Sequence, residues 1–290
     1  MSGGNPVSGG NPVSGVGGAA AQVSPAGLLE VAKRAAAAGA AVLAGRSAEA
    51  LQASNKGDAG DWVTAFDVAA EHAVRDVISA SRPSDSITGE EHGTTRPAGA
   101  TGYRWSIDPL DGTTNFIRNI VYYGTSVAVA DADGVWLAGV VNAPALGRVY
   151  YAARGEGAWL EEYGALTRLQ GPVPGREGQI IATGFNYDPQ VRSEQAAQFA
   201  ELLEGFADVR RLGSAALDLC LVADGTHDAF GERGLNEHDF AAGALIAEEA
   251  GCWVRRPRLT SPLDGGPSDQ ERLDAWTCAA SLELSGKFPL

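Results

Sequence analysis

The stretch WSIDPLDGTTNF, residues 105–116, places two aspartates three positions apart around a proline and follows them with a glycine and two threonines. Because the strand-like run YRWSI precedes them, Asp108 and Asp111 are expected where a strand ends and the chain turns. Crowded carboxylates without cations would repel a phosphate, whereas divalent cations among them would reverse the local charge and bind one. The stretch therefore predicts a divalent-cation site at the end of a sheet.

The backbone of this turn can bring several oxygen ligands together. Pro109 fixes one φ angle and Gly112 permits a positive one, so both carboxylates and the carbonyl of Leu110 can point to one spot. Oxygen ligands of this kind suit Mg²⁺ or Ca²⁺. The backbone N–H groups of Gly112, Thr113 and Thr114, at the start of a predicted helix, form a natural seat for a phosphate.

Asp-Pro and Asp-Gly pairs are also ordinary turn formers, so the surrounding motifs decide between a simple turn and a site. The nine residues DPLDGTTNF resemble the signature of the inositol monophosphatase family, the Mg²⁺-dependent and lithium-sensitive phosphatases. Further stretches resemble the other motifs of that family, in the family's order: KGDAGDWVTAFD (56–67), ITGEEHG (87–93), RRLGSAALDLCLVADG (210–225) and LNEHDFAAGALIAEEAG (235–251).

The resemblance implies the fold and the residues of the site. The fold would be a layered αβαβα sandwich, of mixed α+β and α/β type. Two to three Mg²⁺ ions would be held by Glu90, Asp108, the Leu110 carbonyl, Asp111 and Asp239. In catalysis, Glu90 would accept a proton from the attacking water, Thr113 would orient that water, and Asp67 would hold the Thr113 hydroxyl. The substrate would be bound by Asp111, Gly112, Thr113, Ala215, Glu232 and Asp239.

Several of these residues also have a purely structural interpretation. Asp239 alone would be the N-cap of the helix that follows it. Asp67 lies within an apolar helical pattern, where a lone acid needs a hydrogen-bonding or charged partner. Glu232 alone could equally be an exposed acid at a strand end. The pair Arg210–Arg211 is most simply a solvated pair at the end of an element.

One histidine departs from the family pattern. His238 stands where the family usually has a tryptophan, so the shape of the pocket wall is expected to differ while the neighbouring metal ligand is kept. The other histidines lack ligand-like spacing and are interpreted as structural or surface residues: His72, His92 and His227. In the stretch KGDAGDWVTAFD, Lys56, Asp61 and Thr64 also match positions of the family motif.

The chain is predicted to consist of a tail and two sub-domains. Residues 1–22 contain the hexamer SGGNPV twice and little that could be buried, which indicates a disordered Gly/Ser/Pro-rich tail. Residues 23–164 are predicted to form an α+β metal-binding sub-domain, with two helices, from Ser24-Pro25 and from residue 63, followed by short strands. Residues 165–290 alternate strands and helices, which is typical of an α/β sub-domain.

Composition narrows the class of protein. The 290 residues include 22 basic and 36 acidic side chains, a formal net charge of −14, so we expect no binding to nucleic acid or to an anionic membrane. The apolar run AAAAGAAVLAG is too short to span a bilayer. Three widely spaced cysteines favour a reducing cytoplasm over a disulfide framework. The resemblance further implies a homodimer.

The leading functional hypothesis is hydrolysis of inositol 1-phosphate or a closely related polyol monophosphate. Histidinol phosphate is the main rival substrate, and fructose 1,6-bisphosphate is another, because both reactions occur on this fold. A third hypothesis differs in class, since some bacterial relatives bind protein or RNA machinery. The complete set of acids in the motifs favours a catalyst over such a factor.

Overall fold

A computed structural model describes residues 23–46, 53–55, 62–257 and 269–288. The predicted tail, Lys56 and Asp61 lie outside these residues. The elements up to residue 168 are α1 (Pro25–Ala44), β1 (Ala53–Asn55), β2 (Trp62–Thr64), α2 (Ala65–Ser81), β3 (Ser86–Gly89), β4 (Gly93–Thr95), β5 (Arg104–Asp111), α3 (Thr113–Arg118), β6 (Gly124–Ala130), β7 (Trp136–Ala143), β8 (Arg148–Ala153), β9 (Gly157–Glu162) and β10 (Ala165–Arg168). Those that follow are β11 (Ile180–Ala182), α4 (Pro189–Leu203), β12 (Asp208–Arg210), α5 (Ala215–Ala223), β13 (Ala229–Arg233), α6 (Glu237–Glu249), β14 (Trp253–Arg255), α7 (Asp269–Asp274), β15 (Trp276–Ala280) and a 3₁₀ helix (Leu282–Lys287).

The first helix begins where the sequence predicts. Ser24 caps α1, and its side-chain oxygen accepts the backbone N–H of Gly27 at 3.2 Å. Pro25 occupies the first helical position, where its missing N–H costs nothing.

The second helix differs from its prediction in where it begins and in which face it buries. It starts at Ala65 instead of residue 63, because Thr64 is extended and caps it. The helical spacing predicts an apolar stripe of Val68, His72, Val74 and Ile78, but Val68 and His72 are exposed. The buried face instead carries Asp67, Ala70, Glu71, Val74 and Ile78. The buried face of α2 therefore includes two acids, Asp67 and Glu71, and it faces the site described below.

The larger sheet has eight strands in the order β10-β9-β8-β7-β6-β5-β3-β4, antiparallel except for the β3–β5 pair. Helices α1 and α2 cover one face, and α5 and α6 cover the other. Val127 and Val129 of β6 join the core on the α1 side, whereas Ala128 and Ala130 join the core on the α6 side. In the sequence, the alternation of Val127 and Val129 with Ala128 and Ala130 predicts small residues packed beneath a helix layer. The structure has this arrangement in β6.

The second sheet has five strands in the order β12-β11-β13-β15-β14, with β11 parallel to β12 and β13. Its inner face packs on α5 and α6, and its outer face carries α4 through Phe199 and Leu202. The layers therefore run helix, sheet, helix, sheet, helix. This confirms the predicted αβαβα sandwich.

Glycine permits the close approach of the middle helix layer to the larger sheet. A Cβ atom on Gly139 of β7 would lie 2.9 Å from the Cα of Ala242, which is on α6. A Cβ on Gly243 of α6 would lie 2.9 Å from the carbonyl oxygen of Ala216 on α5. Both contacts involve backbone atoms, so neither can be relieved by turning a side chain.

The boundary predicted at residue 164 falls inside a hairpin. Strand β10 pairs with β9, so the larger sheet extends to Arg168. One buried cluster also contains residues from both sides of that boundary. The division into two sub-domains stays a prediction. Among the described helices, none combines the length and the apolar composition that crossing a bilayer requires.

Candidate active site

The two aspartates of the opening motif lie within β5, not after it. Asp108 pairs with Ser126 of β6 and Asp111 pairs with Gly124, so three steps along β5 match two steps along β6. The extra residue is a bulge at Pro109, which has no N–H to donate to the neighbouring strand. The prediction that the acids lie where the strand ends is therefore wrong for Asp108, which is inside β5, and holds for Asp111, its last residue. Both acids line one pocket.

The residues after the bulge have the predicted backbone. Gly112 has a φ of 97°, and α3 begins directly after it. Thr113 Oγ1 lies 3.0 Å from Asp67 Oδ1 and 3.0 Å from the Leu110 carbonyl oxygen, so its proton can be donated to either. Asp67 also accepts the backbone N–H of Thr64 at 2.7 Å and the Thr64 hydroxyl at 2.6 Å. The buried Asp67 therefore has the partners that the sequence requires.

Glu90 sits on a turn that a buried acid of α2 holds in place. Glu71 accepts the backbone N–H groups of Glu91 at 2.7 Å and His92 at 3.2 Å, and it pairs with the guanidinium of Arg75 at 2.6 Å. Gly89 has to lack a side chain because a Cβ there would overlap the Glu71 carboxylate. Sequence reasoning missed Glu71. The available signal was its position one helical turn after Asp67.

Asp239 lies in the first turn of α6 and is not its N-cap, contrary to the prediction. Asn236 holds the cap position, and its backbone N–H donates to Asp239 Oδ2 at 2.6 Å. The N-cap lies three residues earlier than expected because Asn236 offers the cap and Glu237 is already helical. Glu237 forms an ion pair with the buried Arg104 of β5, which ties this turn to the larger sheet.

The predicted residues converge on a single pocket of about 350 Å³. Its walls include Glu90, Asp108, Leu110, Asp111, Gly112, Thr113, Ala215, Glu232 and Asp239. Asp67 is not among the lining residues and lies behind Thr113. The lining also includes polar and charged residues that were not predicted as site residues, among them Arg211, Ser214, Asp218 and Arg272.

Crowding and burial make the ionised carboxylates unfavourable in the absence of cations. Burial raises the pKa of Asp108 well above its ordinary value, and the carboxylates of Glu90 and Asp111 raise it further. Burial likewise raises the pKa of Asp111 to about 7, against the lowering effect of a hydrogen bond from Ser214. Burial also raises the pKa of Asp239, partly offset by His238. Bound cations would favour the charged form of each acid.

The donor set fits a divalent cation. One ligand atom each from Glu90, Asp108 and His238 lie within 4.8 Å of one another. Carboxylate and carbonyl oxygens from β5 and α6 surround this group and are the ligands that hard divalent cations prefer. The His238 ring lies at the carboxylates and is not among the lining residues of the pocket, and the expected change in the pocket wall stays a prediction.

The wall opposite the acids combines a buried carboxyl group with an arginine. Burial raises the pKa of Glu232 to about 8, although Arg211 lowers it. A Cβ on Gly184 would overlap the Glu232 carboxylate, so glycine makes room for it. Arg211 follows the end of β12 and is exposed, as predicted, but it also lines the pocket. The signal missed was that it directly precedes the LGSAALDL segment.

The start of α5 binds the second aspartate of β5. Ser214 Oγ donates to Asp111 Oδ2 at 2.7 Å, and the backbone N–H of Ala216 donates to the same oxygen at 2.7 Å. Nearby, the buried Asp218 accepts the hydroxyl of Tyr122 at 2.8 Å. These bonds connect the larger sheet to the middle helix layer at the pocket.

Comparison with known proteins identifies the class to which this arrangement belongs. Residues 25–280 match the family model described as the inositol monophosphatase family. The fold and the acid-lined pocket thus belong to a hydrolase of the phosphatase class, in a group of enzymes that is generally metal-dependent.

The chain belongs to the inositol monophosphatase family. It is 44% identical to the inositol-1-monophosphatase of Mycobacterium leprae over 211 residues, which cover 71% of this chain and 72% of the relative. It is 42% identical to the Nus factor SuhB of Escherichia coli K12 over 205 residues, covering 70% and 74%. The solved structure of Mycobacterium tuberculosis SuhB superposes with a TM-score of 0.75 at 34% identity, covering 92% of this chain and 95% of that one.

Proposed function

We propose that this protein is a Mg²⁺-dependent phosphomonoesterase that hydrolyses inositol 1-phosphate or a closely related polyol monophosphate. The observation that carries the proposal is the meeting of Glu90, Asp108, Asp111 and Asp239 in one pocket, with burial and mutual repulsion opposing their charge. We also propose that the protein is cytoplasmic, is inhibited by lithium and forms a homodimer.

The ligands of two to three ions would be the carboxylates of Glu90, Asp108, Asp111 and Asp239 and the Leu110 carbonyl. Bound Mg²⁺ would lower the pKa of a water molecule and neutralise charge on the phosphate. Thr113, with its proton directed to Asp67 Oδ1, presents its oxygen to accept a hydrogen bond from the attacking water. Glu90 would then accept the proton from that water.

The two ends of the substrate would be held by different groups. The backbone N–H groups of Gly112 and Thr113 would bind the phosphate. Glu232 and the wall at Ala215 would face the alcohol. The Glu232 carboxyl group, whose pKa burial raises to about 8, offers its oxygens to substrate hydroxyls. The positive charge of Arg211 beside it opposes the ammonium group of histidinol phosphate, which supports a polyol.

A panel of phosphate-release assays tests the proposal. Inositol 1-phosphate, histidinol phosphate, fructose 1,6-bisphosphate and 3'-phosphoadenosine 5'-phosphate are compared with Mg²⁺, with chelator and with lithium. We expect the highest kcat/KM on inositol 1-phosphate, loss of activity with chelator and inhibition by lithium. If activity is highest on histidinol phosphate, that compound and not inositol 1-phosphate is the substrate.

Variants separate catalysis from a role as a binding factor, which the name of the Escherichia coli relative suggests for that protein. Asp108→Asn removes a charge at the centre of the cluster and should lower kcat by about a hundredfold or more, because several kcal/mol of cation binding and phosphate stabilisation depend on it. Asp133→Asn, on an exposed turn between β6 and β7, is the matched control. Absence of phosphatase activity on all four substrates, with Mg²⁺ bound, would refute the proposal.

A further inference from the structure

An imidazole is present in the carboxylate cluster. A ring nitrogen of His238 and one carboxylate oxygen each of Glu90 and Asp108 lie within 4.8 Å of one another. Ligands bound to one ion at about 2.1 Å lie at most about 4.2 Å apart. Small side-chain rotations would therefore bring all three atoms onto a single cation.

The fold fixes His238 at this place. Ser126 pairs with Asp108 across β5 and β6, and its hydroxyl donates to the backbone carbonyl of His238 at 3.4 Å. The neighbouring Glu237 is tied to Arg104 of the same strand β5. Two contacts thus hold the first turn of α6 against β5, beside Asp108.

The ring itself is not committed to another role in the described part of the chain. Its nearest carboxylate is that of Asp239, with Nε2 and Oδ1 3.6 Å apart, which is longer than a hydrogen bond. The side chain is 15% exposed, so it is held mostly inside the protein with its nitrogens near acids. A mostly buried imidazole without a hydrogen bond is available as a ligand.

We propose that His238 is a nitrogen ligand of a divalent cation shared with Glu90 and Asp108, and that this position takes a first-row transition ion such as Mn²⁺ or Zn²⁺ in preference to Mg²⁺. Mg²⁺ prefers an all-oxygen shell, whereas an imidazole strengthens binding in the order Mg²⁺, Mn²⁺, Zn²⁺. The oxygen ligands of Asp111 and Asp239 leave room for Mg²⁺ beside it. The inference rests on the proposed function for the presence of cations in this pocket.

Pulsed electron paramagnetic resonance on Mn²⁺ bound to the purified, chelator-treated chain tests the ligand directly. A coordinated imidazole adds nitrogen modulation to the Mn²⁺ signal, and ¹⁵N-histidine labelling shifts its frequencies. We expect one coordinated imidazole in the wild type and none in His238→Phe. His72→Phe is the matched control and should keep the modulation, because His72 is exposed and its ring contacts that of His92, with centroids 4.2 Å apart.

Calorimetric titration gives the second measurement. His238→Phe should weaken Mn²⁺ and Zn²⁺ binding at this position at least about tenfold, the lower limit of what losing even an outer partner of a metal ligand costs. Mg²⁺ affinity should change much less. Absence of nitrogen modulation in the wild type, its survival in His238→Phe, or an equal loss of Mn²⁺ and Mg²⁺ affinity would overturn the proposal.

If His238→Phe does not fold, the labelled wild type still gives a decisive test. The chain has four histidines, and His227 is buried elsewhere. Modulation that survives in both His72→Phe and His92→Phe would then be assigned to His238 by elimination.

The proposed ligand and the proposed reaction can fail separately. Nitrogen modulation that depends on His238, in a protein without phosphatase activity, would sustain the ligand and refute the reaction. Phosphatase activity without nitrogen modulation would support the reaction and refute His238 as a ligand.

Discussion

Replacing Asp111 with asparagine should stabilise the cation-free protein at alkaline pH and abolish its phosphatase activity. The asparagine keeps an acceptor oxygen for the hydrogen bonds that Asp111 Oδ2 receives from Ser214 and Ala216. The substitution therefore removes mainly a charge. Without cations that charge is unfavourable, because burial and the nearby carboxylate of Asp239 raise the pKa of Asp111.

The sign and the magnitude follow from the pKa of Asp111, which rises from 3.8 to about 7 on folding. Its contribution to stability is fully present below pH 3.8 and is lost as the pH rises through about 7. Three pKa units correspond to about 4 kcal/mol at full shift, and screening in an open pocket reduces this to roughly 2 kcal/mol. About two thirds of that is lost between pH 5 and 8.5, which corresponds to roughly 1 kcal/mol or about 2–4 °C in Tm.

The assay compares thermal unfolding of the wild type and Asp111→Asn in chelator from pH 5 to 8.5. The difference in Tm between the two proteins should widen with pH in favour of the variant. His227 adds a pH dependence in the same range, because burial lowers its pKa from 6.5 to about 4, so the unfolded chain binds a proton below pH 6.5 that the folded protein does not. Its contribution is present above pH 6.5 and is lost as the pH falls towards 4, but it cancels in the difference because both proteins contain it.

Mg²⁺ provides the reciprocal measurement. At pH 8.5 it should raise the Tm of the wild type by more than that of Asp111→Asn, because the ion neutralises the repulsion that the substitution has already removed. A Tm difference that is constant or narrows with pH would refute the electrostatic reasoning. So would equal stabilisation of both proteins by Mg²⁺.

Three further substitutions test other parts of the structure. Glu71→Gln should weaken Mg²⁺ binding by about tenfold or more in calorimetry, because it loosens the turn that carries Glu90; unchanged affinity would contradict this. Gly139→Ala should cost about 1–3 kcal/mol of unfolding free energy by chemical denaturation, because the new methyl group meets the Ala242 backbone, and an unchanged midpoint would show that the layers can separate. Glu232→Gln should raise KM for inositol 1-phosphate but not for an aryl phosphate without hydroxyls; an equal rise for both would move the residue out of the alcohol subsite.

Local signals account for the parts of the fold that the sequence predicts well. Ser24 and Pro25 start α1 because capping and the proline angle act within a few residues. The alternation of β6 predicts its two faces for the same reason. The site was predicted from motifs, and the structure brings their residues to one pocket, since each motif lies at the end of a strand or the start of a helix.

Features that depend on distant parts of the chain were not predictable from one sequence. Glu71 matters because a turn about 20 residues later folds back onto it. The sequence predicts Arg211 only as a solvated residue, because its position near Glu232 depends on how the layers pack. The bulge at Pro109 depends on how β5 pairs with β6, and pairing register is a property of two strands.

The hydrogen bonds from Ser214 and Ala216 to Asp111 also have a mechanical consequence. One proposed cation ligand belongs to a strand of the larger sheet, and the groups that orient it belong to the helix layer beneath the second sheet. Cation binding in the pocket and the spacing between these layers are then thermodynamically coupled, so a change in one shifts the other. Larger side chains in the middle helix layer, far from any substrate atom, would therefore change kcat. Adaptation of the enzyme to a different working temperature could occur by such substitutions.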